Sequence, residues 1–144
     1  MFEGRPLECR VARILGGDLA PRGVWPWDVQ LRDGGPDSEP TRIEVKSGST
    51  SFDISERNAD HVLGAAAIDV WVFVHKTDGA VPADGLRYTV VREPDLAAFR
   101  SMTRNGRTPS APRRTTTSTR LIEAFGTCAE DDLADAVRHA RLAS

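Results

Sequence analysis

The chain has little cysteine and little histidine, and both shortages restrict the kinds of site that it can build. Cys9 and Cys128 are the two cysteines among 144 residues, and they form no CxxC pair. This usage argues against a zinc module or a disulfide scaffold and favours a reducing compartment, so we expect a cytoplasmic protein. The three histidines are scattered, at spacings that no common metal-binding pattern uses.

Long apolar runs and an excess of one charge are also missing. No N-terminal run is long enough for a signal peptide, and no stretch is long enough to span a membrane. The net charge is −2, and the 40% hydrophobic and 28% charged residues are ordinary for a globular domain. Overall charge therefore does not indicate a nucleic-acid-binding protein, and local charge has to be examined instead.

Hydrophobic periodicity predicts a mixed α/β domain of about one hundred residues. The expected elements are, in order, a helix at 7–17, strands at 27–31, 42–47 and 51–55, a helix that opens at Ser55, strands at 69–75 and 86–91, and a helix behind Pro94. A hairpin joins the first two strands, since Asp33-Gly34-Gly35 is a turn signal. The strand at 69–75 is nearly all apolar, so we expect it to be central and buried on both faces.

The composition changes after residue 103. Residues 104–120 contain five arginines, no acid and many Pro, Thr and Ser residues, which is typical of a mobile linker or flap. We therefore predict a domain at 1–103, a basic flexible linker at 104–120 and a helical tail at 121–144. In the tail, Thr127 and Glu130 fit a capping box. An apolar stripe follows, formed by Leu133, Ala136, Val137 and Ala140, and it could pair with a second copy in a homodimer.

Two neighbouring strands carry the residues with the most specific chemistry. Residues two apart in a strand share a face, so Glu44 and Lys46 project together, as Asp28 and Gln30 do on the preceding strand. If these strands pair antiparallel, Asp28 can approach Glu44, and two close carboxylates repel unless a cation lies between them. Oxygen ligands of this kind suit Mg²⁺. A lysine beside that ion could orient or deprotonate an attacking water, as in phosphodiester hydrolysis.

Asp28, followed by "IEVKSG" with Glu44-x-Lys46, resembles the D…(D/E)-x-K core of the PD-(D/E)XK nuclease superfamily. The resemblance is to the restriction-endonuclease-like and Holliday-junction-resolvase-like branches, and it covers roughly residues 3–100. It implies an α-β-β-β-α-β core with a mixed sheet, which agrees with the order of elements read from periodicity. Where the motif has a proline directly before the acid, this chain has Trp27, and Pro26 lies one position earlier.

The resemblance implies a Mg²⁺-dependent endonuclease that hydrolyses branched or duplex DNA in repair, recombination, restriction or defence. It places Asp28, Glu44 and, from the first helix, Glu8 at the metal, with Mn²⁺ as a substitute ion, and it gives Lys46 the task of positioning water. The alternative is a catalytically inactive module with the nuclease fold, which binds nucleic acid or a protein partner. Such folds are reused as scaffolds.

Several polar residues are candidates for DNA contacts. They are Gln30, Ser47, Arg104, Arg107, Arg113, Arg114 and Arg120. Each also has a plainer explanation, as a residue on a solvated face, a turn residue or part of a charged linker. Glu8 could be an ordinary exposed helix residue, and Glu44 and Lys46 a solvated pair. Asp33 or Asp37, in the loop after Asp28, could take its place at the metal.

Overall fold

The computed structural model describes residues 6–19, 29–31, 40–48, 50–54, 68–76, 86–100 and 115–142. These residues form a mixed α/β fold, as the periodicity predicts. Its elements are α1 (Pro6–Leu15), β1 (Asp18–Leu19), β2 (Val29–Leu31), β3 (Thr41–Gly48), β4 (Ser51–Asp53), β5 (Val70–His75), β6 (Arg87–Arg92), α2 (Glu93–Arg100), β7 (Thr115–Thr117), α3 (Ser118–Phe125), a 3₁₀ turn (Glu130–Asp132) and α4 (Leu133–Leu142). The helix predicted from Ser55 lies outside the described residues.

Helix α1 ends at the glycine pair, as predicted. Gly16 takes the left-handed conformation, with φ of +71°, which glycine adopts without strain. The Gly17 N–H donates to Ala12 O at 2.9 Å and the Gly16 N–H donates to Arg13 O at 3.3 Å. This pair of bonds is a Schellman motif, which satisfies the last carbonyls of the helix and turns the chain into β1.

The main sheet has five strands in the order β1-β2-β3-β5-β6. Strands β1, β2 and β3 form an antiparallel meander, β5 runs parallel to β3, and β6 is antiparallel to β5. The predicted pairing of the strands at 27–31 and 42–47 is confirmed for the described part, β2 and β3. The prediction for 69–75 is also confirmed, because every residue of β5 is buried and the strand lies inside the sheet.

The strand predicted at 51–55 does not join this sheet. Its described part, β4, pairs with β7 in a separate two-stranded sheet, with Phe52 opposite Thr116. The meander is completed instead by β1, which precedes β2 in the chain and has only two residues. Periodicity could not reveal it. Two residues are too few to show any alternation of apolar and polar side chains.

Alternation along β5 separates two hydrophobic cores, one on each face of the main sheet. The first core contains the buried residues Val11, Ala12, Val29, Leu31, Ile43, Val45, Val70, Val72, Val74, Leu86, Tyr88, Leu133 and Val137. The second contains Phe52, Ile54, Ile68, Trp71, Phe73, Val91, Leu96, Phe99 and Leu121. Helices α1 and α4 therefore cover one face, which we call the α1 face. Helices α2 and α3 and strand β4 cover the other, the α2 face.

The C-terminal part of the chain differs from the predicted linker and tail. Strand β7 and the first turn of α3 fall inside the segment 104–120, and residues 104–114 lie outside the described residues. Leu121 is fully buried in the second core, while Leu133 and Val137 are fully buried in the first. Two residues of the apolar stripe of α4 are therefore buried within this chain, and the pairing of α4 with a second copy stays a prediction.

The predicted capping box at Thr127 and Glu130 is wrong. Helix α4 begins at Leu133, after a 3₁₀ turn that starts at Glu130. The Glu130 carboxylate instead accepts hydrogen bonds from Arg10 Nε at 2.5 Å and from the Tyr88 hydroxyl at 3.0 Å. Burial, and to a smaller extent the hydrogen bond to Glu130, raises the pKa of Tyr88 to about 12. Glu130 thus links α1 and β6 to the C-terminal segment.

Candidate functional site

Glu44 and Lys46 share the α2 face of β3, with Ile43 and Val45 on the other face, as the alternation predicts. Glu44 Oε2 lies 3.4 Å from Lys46 Nζ. The alternative of a solvated pair does not fit Glu44, which is only 3% exposed. Glu44 is paired in register with Trp71 of β5, a residue of the second core. A buried carboxylate is stabilised by a nearby positive charge. The Lys46 ammonium therefore stabilises Glu44 in the fold, and it is also placed to act in a reaction at the same position.

The register between β2 and β3 determines what faces Glu44. Val29 is opposite Ile43 and Gln30 is opposite Arg42. Gln30, half-buried, therefore lies on the same α2 face as Glu44. Val29 is the first described residue of β2, and it pairs with Ile43. Glu44 therefore lies one position beyond the described part of this pairing. The predicted ligand Asp28 lies outside the described residues, as do Asp33 and Asp37.

Glu8 lies in the first turn of α1 and is half-buried. Its helix packs through Val11 and Ala12 against the α1 face, where Ile43 belongs to the same core. The Glu44 carboxylate is on the α2 face. The helix that carries Glu8 and the carboxylate of Glu44 are thus on different sides of the sheet, and the metal-binding role of Glu8 stays a prediction.

Of the predicted DNA contacts that the structure describes, Gln30 shares the face of Glu44, and Ser47 does not. Ser47 is exposed and alternates onto the α1 face, away from Lys46. Arg120 lies in the first turn of α3, half-buried, and its backbone N–H donates to the Thr117 hydroxyl at 3.1 Å as part of the helix cap. The other four arginines, Arg104, Arg107, Arg113 and Arg114, lie outside the described residues.

His75 closes β5 with a buried hydrogen-bond chain. Its Nε2 lies 2.6 Å from Thr89 Oγ1, and Thr89 Oγ1 donates to Gly126 O at 2.8 Å. Because the threonine proton is used in that bond, Nε2–H is the donor to Thr89 and Nδ1 accepts from the Ser118 hydroxyl, 2.6 Å away. Burial lowers the pKa of His75 below its ordinary 6.5. The neutral imidazole therefore joins β5, β6 and the start of α3.

We expect the stability of the protein to fall as the pH drops below about 6.5, because the unfolded chain then binds a proton that the folded His75 resists. The contribution of neutral His75 to the free energy of unfolding is complete above the pKa that His75 has in the unfolded chain. This contribution is lost as the pH falls toward the lower pKa that His75 has in the folded protein. Urea unfolding between about pH 7.5 and pH 5 measures this slope, and His75→Gln should flatten it. The exposed His139 provides the control: if His139→Gln flattens the slope instead, the assignment to His75 is wrong.

Three comparisons with known proteins were made. No family model, curated protein or solved structure matches this chain. In the part of the chain that the structure describes, no three His, Cys, Asp or Glu side chains group as a metal site. Nor does any helix there have the length and apolar character needed to cross a membrane. The function of the protein is therefore inferred from the geometry of the chain itself.

Sequence reasoning missed a group of arginines at one end of the main sheet. Arg42, Arg92 and Arg141 belong to β3, β6 and α4, and all three line one cavity. It also missed Arg100 of α2, which is 1% exposed and whose guanidinium carbon lies 5.4 Å from the centre of the Trp71 ring. These residues are far apart in sequence, so no local motif could have found the group.

Proposed function

We propose that the protein is a Mg²⁺-dependent endonuclease that hydrolyses DNA phosphodiester bonds. The observation that carries the proposal is the close pair of Glu44 and Lys46 on one face of an internal strand, 3.4 Å apart, with the carboxylate buried. A carboxylate and an ammonium held this close can act together on one phosphate: the first through a metal ion, the second directly.

The strand register supports a second carboxylate at the same place. Val29 pairs with Ile43 in an antiparallel ladder, so one further step of this ladder would put position 28 opposite Glu44, on the same α2 face. We propose that Asp28 takes this position. Its carboxylate would then approach Glu44 as the D…(D/E)-x-K resemblance requires.

The order of elements supports a restriction-endonuclease-like core. Helix α1 is followed by the antiparallel meander β1-β2-β3 and, later, by β5, which runs parallel to β3. This order fits α-β-β-β-α-β if the segment 55–67, which lies outside the described residues, supplies the second helix. A crossover helix is the usual link between parallel neighbours such as β3 and β5.

The residues fit a magnesium ion in their chemistry. Mg²⁺ in phosphate-processing sites takes one or two carboxylates and keeps several waters. Glu44 with Asp28 would meet that need, and Mn²⁺ would substitute. Glu8 is not part of this ligand set, because α1 covers the opposite face of the sheet from the Glu44 carboxylate. When bound, the ion polarises the phosphate and makes the coordinated water acidic.

Lys46 has two tasks in this proposal. Without a metal, its ammonium compensates the Glu44 carboxylate, which is 4% exposed in its side chain. With DNA present, the side chain, which is 25% exposed, can turn toward solvent and hold an attacking water or a phosphate oxygen. Its positive charge would be more stabilising as negative charge develops on the phosphate oxygens.

A second candidate is an inactive module with the same fold. The Glu44–Lys46 ion pair favours it, because an acid already neutralised by a lysine needs no metal. Such a module would bind nucleic acid through the arginines of 104–120, or bind a protein partner, without turnover.

Incubation of the protein with supercoiled plasmid and with a four-way DNA junction distinguishes the endonuclease from the inactive module. An endonuclease cuts at least one of them with Mg²⁺ or Mn²⁺ and stops in EDTA. DNA binding in EDTA without any cleavage in either metal would establish the inactive module instead. Loss of that binding on deletion of 104–114 would locate it in the arginine segment.

A further inference from the structure

A cavity of about 520 Å³ opens at the end of the main sheet where β3 and β5 begin and β6 ends. Its volume is in the range of sites that enclose small organic ligands. Arginines reach it from three different elements: Arg42 from β3, Arg92 from β6 and Arg141 from the last turn of α4. Positive side chains from three distant parts of the sequence therefore meet at one cavity.

Asp69 holds Arg42 in the wall of this cavity. Asp69 Oδ2 accepts a hydrogen bond from the Arg42 backbone N–H at 2.8 Å and lies 3.7 Å from Nη1 of the same residue. The Arg42 side chain is 14% exposed, so its position is fixed by its surroundings. An arginine immobilised before binding loses little conformational entropy when it meets an anion.

The other two acids near the cavity are matched by arginines as well. Arg92 donates from Nε and Nη2 to the two carboxylate oxygens of Asp95, at 3.1 and 3.2 Å. Arg100 donates from Nη1 to both oxygens of Glu93, at 2.8 and 3.2 Å. Because these carboxylates are already neutralised, they repel an incoming anion only weakly.

The charge balance of this group is positive. Among the residues that the structure describes, the charged ones that line the cavity are three arginines, Arg42, Arg92 and Arg141, and two acids, Asp69 and Glu93. The rest of the lining is largely apolar and includes Pro40, Ile68 and Val70. The lining thus combines cationic with apolar side chains, and a nucleotide likewise combines a phosphate with a less polar nucleoside.

We propose that this cavity binds a phosphate monoester of nucleotide size. The guanidinium groups take the phosphate, since their planar forks match its oxygens in pairs, and the apolar wall takes the nucleoside. The same group occurs on a free nucleoside monophosphate and on the 5′-phosphorylated end of a nucleic-acid strand. Arg42 of the lining and Glu44 of the proposed catalytic site share a face of β3 two residues apart, but binding in the cavity requires no catalysis.

Calorimetric titration in EDTA tests the proposal with four probes: deoxyadenosine monophosphate, deoxyadenosine, and a DNA hexanucleotide with and without a 5′-phosphate. We expect each phosphorylated probe to bind at least about tenfold more tightly than its partner without the phosphate. A hexanucleotide that binds more tightly than the mononucleotide identifies the strand end as the source, and the reverse identifies the free nucleotide. Equal affinity with and without the phosphate, or no binding by any phosphorylated probe, overturns the proposal.

A matched pair of arginines on α4 locates the site. Arg141→Gln should weaken binding of deoxyadenosine monophosphate by about tenfold, because Arg141 lines the cavity. Arg138→Gln, on the same helix but 65% exposed, should leave it unchanged. Equal weakening in both variants would indicate diffuse charge attraction and overturn the site. Since EDTA removes any metal chemistry, failure here leaves the endonuclease proposal intact, and loss of cleavage in Glu44 variants leaves this one intact.

Discussion

Replacing Lys46 with methionine should abolish the proposed metal-dependent DNA cleavage, with a loss of at least about 100-fold in rate. Methionine keeps much of the length and the apolar stem of lysine but cannot hold a water or neutralise a phosphate oxygen. Removal of one such electrostatic group typically costs two to three orders of magnitude. Glu44→Gln should cause a comparable loss, because the neutral amide is a poor ligand for Mg²⁺. Gel quantification of nicked plasmid against time measures both.

Stability must be separated from chemistry in this test. Either single substitution leaves the other charge of the pair without its partner at 3.4 Å, and for Glu44 that charge is buried. We therefore expect both single variants to unfold at lower urea concentration than the parent protein. The double variant Glu44→Gln/Lys46→Met removes both charges and should recover much of that stability while remaining inactive.

Two further variants complete the design. Lys76 is the other lysine of the chain, half-buried just after β5, so Lys76→Met controls for the loss of a positive charge and should cleave normally. Lys46→Arg keeps the charge and should retain part of the activity. If Lys46→Met and Glu44→Gln both cleave as fast as the parent protein, the proposed site is not the catalytic one.

Truncating Leu121 or Leu133 to alanine should lower the free energy of unfolding by about 2–5 kcal/mol each. Both side chains are fully buried, Leu121 in the second core and Leu133 in the first, so each substitution leaves a cavity that the sheet cannot close. Urea unfolding followed by circular dichroism gives the value, provided that both variants keep the slope of the parent transition.

The neighbour of Leu121 is the natural control for this prediction. Ile122 is 40% exposed on the same helix, so Ile122→Ala should cost less than about 1 kcal/mol. If Leu121→Ala and Leu133→Ala are as mild as Ile122→Ala, then α3 and α4 are an appendage, as the composition of the chain suggests. A large difference would establish them as parts of the domain.

Local patterns were sufficient where an element carries its own signal. The valines of β5 predict a buried strand, the glycines after α1 predict its end, and Glu44 alternates with Ile43 as a strand residue should. The side of the sheet on which each residue lies could be predicted for β3. How deeply Glu44 is buried could not, because that depends on α2, α3 and β4.

Contacts between segments that are distant in sequence explain why the other features could not be predicted. Phe52 pairs with Thr116, and this contact joins segments that are separated by the whole of β5, β6 and α2. A run of threonines and arginines has the composition of a linker, yet its end becomes β7 because β4 offers an unpaired edge. The arginine-lined cavity has the same origin, since its three arginines meet only after the sheet and α4 have assembled.

The first core has a consequence for how the protein is made. Val11 of α1 and Val137 of α4 pack in the same cluster, and Arg10 binds Glu130 across the chain. On the ribosome, α1 emerges early and waits for residues that are more than one hundred positions away. Such contacts of high sequence separation slow folding. The α1 face of the sheet therefore cannot be fully covered until Val137 has been synthesised, and its valines stay exposed during that interval.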